Sequence, residues 1–202
     1  MYKKYIVEAI GTFALSFVVL GAVSLKGTVP LPVPVIAGLT LALFVYTIGG
    51  LSGCHINPSV TLGLLSVKKI SIKDGAGYIV AQMFGALCAV LLAQVFVIVR
   101  PVAGDVLAFD ATMFGAEALG TFFFTFGIAS VVYGKAKEQM SGIIVGGSLL
   151  LGVLIASFAG SLGILNPAVA FALNAVSITY ILAPVVGSVL GFQTYKYLVE
   201  GK

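Results

Sequence analysis

The 202 residues are 60% hydrophobic and only 9% charged, with a mean hydropathy of +1.16, whereas a soluble domain carries about 25% charged residues. Such a chain cannot cover itself for water, and its continuous apolar runs exclude a β-barrel, which needs alternating segments of about ten residues. The class is an all-α membrane protein, and the net charge of +4 calls for no nucleic-acid partner, because the placement of lysines in loops accounts for it.

Lys3-Lys4 ahead of an apolar run has the outline of a signal peptide. Glu8 interrupts the run and no small-residue cleavage site follows, so residues 5–25 read as a retained first span. Pro30, Pro32 and Pro34 mark a short extended connection. A second span covers residues 35–48, ended by Gly49-Gly50, and the polar, Gly-containing stretch Ser52-Gly53-Cys54-His55-Ile56 follows. Asn57-Pro58-Ser59 then opens a helix, since Asn is a preferred N-cap and Pro costs nothing at the first helical position. It stops at Val67-Lys68-Lys69, about half a membrane thickness later. A half-length helix cannot cross, so this segment is expected to enter and return.

The third span is expected over residues 75–99, with Gly77, Ala81 and Gly85 spaced for close helix contact. Residues 100–110 form a polar connection, and 111–133 a fourth span ended by Lys135-Ala136-Lys137-Glu138. A fifth span over 141–158 leads through Gly160-Ser161-Leu162-Gly163-Ile164-Leu165 to Asn166-Pro167-Ala168, which opens a second half-helix to about 176. The last span, 178–198, carries Gly187 and Gly191.

The two tripeptides lie 109 positions apart, and the same offset carries Glu8-Ala9-Ile10-Gly11-Thr12-Phe13 onto Glu117-Ala118-Leu119-Gly120-Thr121-Phe122. Two unrelated landmarks at one offset indicate an internal duplication, with repeats over approximately 5–99 and 111–199 in a single domain, 1–202. With a cytoplasmic N-terminus and six spans, Lys3, Lys4, Lys68, Lys69, Lys73, Lys135, Lys137, Lys196 and Lys202 fall inside, and only Lys26 and Arg100 outside. Spanning by the Asn57 segment would move three lysines outside, so the re-entrant reading is preferred. Three spans per repeat make the repeats inverted. Their half-helices should meet N-terminus to N-terminus near the midplane, where irregular backbone is tolerated only beside protein or a water-filled cavity.

The paired Asn-Pro motifs, the stretch from Ser52 to Gly63 and the repeated Glu…Gly-Thr-Phe resemble the aquaporin and glycerol-facilitator (major intrinsic protein) family over the whole chain. Ser59 departs from the family's usual Ala. The resemblance implies six transmembrane helices plus two re-entrant half-helices, a passive pore and a homotetramer. It also implies a multi-pass protein of the plasma membrane, in contact with lipid and small neutral solutes, with both termini cytoplasmic.

In such a pore each Asn would cap its helix and keep an amide donor for the axis, while backbone carbonyls of Gly53 to Ile56 and Leu162 to Leu165 would serve as acceptors. Cations would meet two positive helix ends. Glu8 and Glu117, ionisable groups inside spans, are expected to accept hydrogen bonds from their own repeat's re-entrant loop, with His55 as a structural donor there. Cys54 is expected either to face the cytoplasmic half of the pore or to pack behind the loop, and Cys88 to be a small core residue.

In most of the family the second motif is followed by Arg. Here that position is Val169, and counting along the family pattern puts Ala37, Leu154 and Gly163 at the other constriction positions. That ring has no charge, aromatic ring or His, unless Arg100 folds back into it. The expected function is passive passage of small uncharged solutes such as glycerol-like polyols, together with water. The alternatives are a water-selective channel and an inverted-repeat secondary transporter. No paired carboxylates, metal-ligand cluster, nucleophile–base pair or phosphate loop stands in the sequence, so neither an enzyme nor a cofactor is expected.

Overall fold

The computed structural model describes residues 2–25, 29–96 and 109–201. Among them the chain is helical, without strands: α1 (Lys3–Ser24), α2 (Val33–Ser52), α3 (Pro58–Ser66), α4 (Ile72–Phe96), α5 (Ala111–Val132), α6 (Ser141–Phe158), α7 (Pro167–Ala172) and α8 (Ile178–Glu200). Six of these are long and apolar enough to cross a membrane. The other two, α3 with nine residues and α7 with six, reach only about 14 Å and 9 Å at 1.5 Å per residue, far short of a hydrocarbon core of about 30 Å. Lys26 and Arg100 lie outside the described residues, and with them the expectation that Arg100 folds back.

Several helix ends differ from the sequence expectation: α2 starts at Val33, with Pro34 in its first turn rather than in the connection, and α4 starts at Ile72 rather than 75. α2 does not stop at Gly49-Gly50 but continues to Ser52, and Gly53 (φ 86°) closes it by donating its N–H to the Gly49 carbonyl at 2.8 Å. An interior Gly costs about 1 kcal/mol relative to Ala, less than leaving backbone groups unpaired in an apolar setting. α7 ends at Ala172 rather than near 176. Asn174 adopts a left-handed φ of 54°, with its N–H on the Phe171 carbonyl and that of Ala175 on Ala170, a double-bonded C-terminal turn that Asn tolerates well. α3 ends the same way around Lys68 (φ 58°), with Lys69 N–H bonded to the Leu64 carbonyl at 2.9 Å.

The spanning helices pair through small residues. Gly85 of α4 sits on the carbonyl of Ala9 in α1, and Gly187 of α8 on that of Ala118 in α5; neither position has room for a Cβ. Gly38 of α2 and Gly146 of α6 press against each other's carbonyls, closing the bundle across its middle. The half-helices are held crosswise. α3 lies against α8, with Gly63 under Ser188 and Phe192. α7 lies against α4, where Ala168 and Ala172 cluster with Ala86. Each half-helix is therefore gripped by a spanning helix from the other half of the chain.

Candidate functional site: two Asn-Pro turns and the cavities beside them

Asn57 and Asn166 do what their sequence context predicts. The Asn57 Oδ1 accepts the Ser59 N–H at 2.8 Å and the Asn166 Oδ1 accepts the Ala168 N–H at 3.0 Å, while Pro58 and Pro167 occupy the first helical positions. The amide nitrogens add a feature that capping alone does not require. Asn57 Nδ2 donates to the Leu165 carbonyl at 2.9 Å, and Asn166 Nδ2 donates to the Ile56 carbonyl at 3.0 Å. The two half-helices thus meet at their N-termini and are tied there by a reciprocal pair of bonds. One hydrogen of each amide is taken by the opposite loop, leaving the other for a ligand. Both side chains are buried.

The loops ahead of the motifs are shaped by buried carboxylates. Glu8, with no exposed surface, accepts from Ser52 Oγ (2.7 Å) and His55 N–H (2.9 Å) on Oε1, and from Ile56 N–H (2.7 Å) and Gln82 Nε2 (2.8 Å) on Oε2. Glu117 accepts from Ser161 Oγ and from Ile164 N–H (3.0 Å) on Oε1, and from Leu165 N–H (2.9 Å) on Oε2. Both glutamates, expected as loop supports, thus make their contacts to the loop of their own repeat. Turning two successive N–H groups to one side requires left-handed backbone at Cys54 (φ 50°), Ile56 (φ 39°), Gly163 (φ 64°) and Leu165 (φ 55°), uncommon for residues other than Gly. In a trans peptide the carbonyl points opposite the following N–H. The carbonyls of Cys54, His55, Gly163 and Ile164 therefore point away from the carboxylates.

His55 is buried, its Nδ1 3.1 Å from Thr61 Oγ1 and its ring edge-on to Tyr78. Its backbone donates to Glu8 while its imidazole braces the start of α3. Gln82 bonds Thr61 Oγ1 at 3.0 Å as well as Glu8, and Tyr78 donates to the Ser52 carbonyl at 2.7 Å. Neither Gln82 nor Tyr78 has a marker in a single sequence beyond being polar within an apolar span.

Two cavities flank the motifs. The first, about 320 Å³, is lined by Leu15, Val19 and Val23 of α1, Ala37 and Leu41 of α2, Phe124 of α5, Leu149 and Val153 of α6, the loop Ser161 to Ile164, Val169, and both motif asparagines. The second, about 330 Å³, is lined by Val45 and Ser52 of α2, Cys54, Val60, Leu64, Lys69, Tyr78, Ile128 and Val132 of α5, and Val145 of α6. His55 borders both. The first cavity faces the end of the bundle where α1 finishes and α2 begins, the second the end where α3 finishes. Most lining residues of each helix recur every four positions, 15, 19 and 23; 37, 41 and 45; 124, 128 and 132; 145, 149 and 153, with Ala22 and Val131 beside them. One stripe per helix is the spacing of a single helix face.

Three of the four expected constriction residues, Ala37, Gly163 and Val169, line the first cavity. Leu154 does not: its side chain is 38% exposed on the outside of the bundle, and the neighbouring Val153, 4% exposed, takes the place. A Cβ on Gly163 would come within 2.9 Å of Val153 Cγ1, so these two positions are in contact. The physical reason is a one-residue difference in the connection. The Gly38–Gly146 contact aligns α2 and α6 at an offset of 108, whereas the loops aligned by Ser52 and Ser161 stand 109 apart. The extra residue falls in the turn at Ala159 and Gly160 (φ 77°), and counting back through it rotates the α6 assignment by about 100°. Cys54 lines the second cavity, while Cys88 of α4 is half-buried.

Residues 1–195 match the family described as Major intrinsic protein. The chain belongs to the major intrinsic protein family. It is 34% identical over 245 residues to Aquaporin AqpM of Methanothermobacter thermautotrophicus, covering 98% of both chains. It is 34% identical over 211 residues to Glycerol uptake facilitator protein-like 6 of Lactiplantibacillus plantarum, covering 93% of this chain and 94% of that one. The fold is shared with the X-ray structure of the aquaglyceroporin from Plasmodium falciparum at a TM-score of 0.77 and 23% identity, over 98% of this chain and 96% of that chain. As a major intrinsic protein the chain is an integral, multi-pass membrane channel for water or small solutes and not an enzyme, which sets aside the secondary transporter.

Proposed function

We propose that the two cavities are the two halves of one pore through a single channel domain, in two inverted repeats, and that this pore passes glycerol-sized neutral solutes as well as water. The observation that carries the reading is the lining of the first cavity, which holds no ionic side chain among the described residues. The position where most of the family carries Arg is Val169. In this proposal Ala37, Val153, Gly163 and Val169 form an apolar constriction, and Asn57 and Asn166 with Pro58, Ser59, Pro167 and Ala168 form the junction at the midplane. The carbonyls turned away from Glu8 and Glu117 serve as acceptors along the path. A cavity of about 320 Å³ far exceeds the roughly 15 Å³ that admits one water, which is in keeping with a path that also holds a triol. Lysine placement favours cytoplasmic termini and puts the first cavity outside and the second inside. The family suggests a homotetramer in the plasma membrane.

The test is solute-driven swelling of proteoliposomes with water, glycerol and urea. Glycerol and urea are expected to enter along with water, linearly with their gradient, and Val169→Arg is expected to reduce solute flux more than water flux. Fast water movement with complete exclusion of glycerol and urea by the wild type would overturn the proposal in favour of a water-selective channel.

A further inference from the structure

Among the described side chains that line the two cavities, only Lys69 carries a fixed charge. Lys69 is placed by the turn that ends α3. Lys68 takes a left-handed φ of 58°, and Lys69 donates its N–H back to the Leu64 carbonyl, which brings its side chain across the mouth of the second cavity. There its Nζ lies 4.3 Å from the ring centroid of Tyr133, at the end of α5. Tyr133 in turn rests against Tyr195 of α8. Among the described residues no carboxylate pairs with Lys69; the ion pairs are Lys4–Asp74 and Lys196–Glu200. An aromatic face holds an ammonium in place without neutralising it. The charge is therefore held in place without an ion-pair partner among the described residues.

We propose that Lys69 is the fixed cationic residue of the permeation path, a specificity-determining side chain at the mouth of the second cavity. It disfavours cations before they reach the half-helix ends. The proposal rests on the reading of the two cavities as one pore. It explains how a pore with Val169 at its constriction still presents a side-chain positive charge to an entering ion. A charge and an ion within about 10 Å lie inside one Debye length at 0.1 M salt, and their interaction there changes local ion concentration by about twofold to tenfold. Neutral solutes feel none of this.

Cys54 lines the same cavity and reports its potential directly. In a Cys88→Ala background, purified full-length protein in detergent is treated at low salt with anionic sulfonatoethyl or cationic trimethylammonioethyl methanethiosulfonate. The ratio of the two labelling rates at Cys54 is measured for Lys69, Lys69→Arg and Lys69→Met. Any change in thiolate fraction affects both reagents alike and cancels in the ratio. Lys69→Met is expected to lower the anionic-to-cationic ratio by at least about fourfold, the product of twofold shifts in opposite directions. Lys69→Arg is expected to keep it near the wild-type value, and added salt to shrink the wild-type ratio toward that of Lys69→Met. Should Cys54 prove unreactive, Ile70→Cys, on the lining of the same cavity, gives the same comparison in a Cys54→Ala, Cys88→Ala background. A ratio unchanged between wild type and Lys69→Met overturns the proposal. Liposomes that pass no solute would instead overturn the pore reading, while the labelling ratio would still report the charge.

Discussion

Replacing Glu8 with Gln tests whether a buried carboxylate sets the shape of the loop ahead of α3. Each Glu8 oxygen takes two donors, at 2.7 to 2.9 Å, from Ser52, His55, Ile56 and Gln82. A glutamine keeps the size but has one oxygen, so its amide nitrogen must face two donors. Two hydrogen bonds to a charged group are lost at about 1.5–3 kcal/mol each, or roughly 3–6 kcal/mol together, and the remaining two lose their charge assistance. That is comparable to the whole stability margin of a typical domain, about 5–15 kcal/mol. The left-handed backbone at Cys54 and Ile56 adds strain of order 1–3 kcal/mol per residue that those bonds no longer offset. Glu117→Gln provides the internal comparison. One Glu117 oxygen takes Ser161 and Ile164, the other Leu165, so an amide nitrogen turned toward Leu165 gives up a single bond, about 1.5–3 kcal/mol. The assay is the fraction of monodisperse protein after detergent extraction, with solute flux per folded molecule in liposomes. Glu8→Gln should lose most of both, and Glu117→Gln less. A Glu8→Gln protein indistinguishable from wild type, or one milder than Glu117→Gln, would refute the reasoning.

Three further outcomes are expected. In a Cys88→Ala background a mercurial should block flux through Cys54, because that thiol lines the second cavity; undiminished flux would place it off the path. Ser59→Ala should be neutral or stabilising by about 1 kcal/mol, since the Ser59 hydroxyl is buried without a hydrogen-bond partner among the described residues; a lowered temperature of half-aggregation in detergent would contradict this. Val153→Phe should cut glycerol flux severalfold while Leu154→Phe leaves it near wild type, as only Val153 lines the first cavity; equal effects in the swelling assay would restore the register counted from the motif.

The legible part of this chain was whatever depends on spacing within one continuous element. Asn-Pro turns announce helix starts because capping and N1 preferences are local, and Asn57 and Asn166 begin helices as expected. The apolar runs gave the spans, with ends shifted where tertiary packing outweighed a local preference, as at Gly49 and Gly50. Glu8 and Glu117 stood out because a carboxylate inside an apolar helix needs donors. What spacing could not supply was rotation across an irregular connection. A single extra residue near Gly160 leaves every chain count plausible yet turns the α6 face by about 100°, so that Val153 rather than the expected Leu154 lines the first cavity. The four-residue stripes on α1, α2, α5 and α6 carry the information that corrects it. Gln82 and Tyr78 were illegible for another reason: each becomes a partner of the Glu8 loop only because Gly85 lets α4 sit directly on the Ala9 carbonyl of α1.

The reciprocal bonds between the motifs bear on how the proposed pore treats a solute. An Asn held only by its capping bond would be free to turn its amide with the solute, and would pay conformational entropy each time it bound one. Here each Asn is fixed twice, by the N–H it accepts two residues ahead and by the carbonyl it donates to on the other side. Its remaining amide hydrogen has one direction. A hydroxyl-bearing solute at the junction meets two such donors, with carbonyl acceptors above and below and apolar walls elsewhere. It can exchange its water hydrogen bonds for protein ones without the protein rearranging. A cation finds at the same depth two N–H donors and the positive ends of α3 and α7, with no carboxylate among the described residues that line either cavity. In the proposed pore, the geometry that accepts the neutral molecule thus opposes the ion, and it does so with Val169 at the position where most of the family carries Arg.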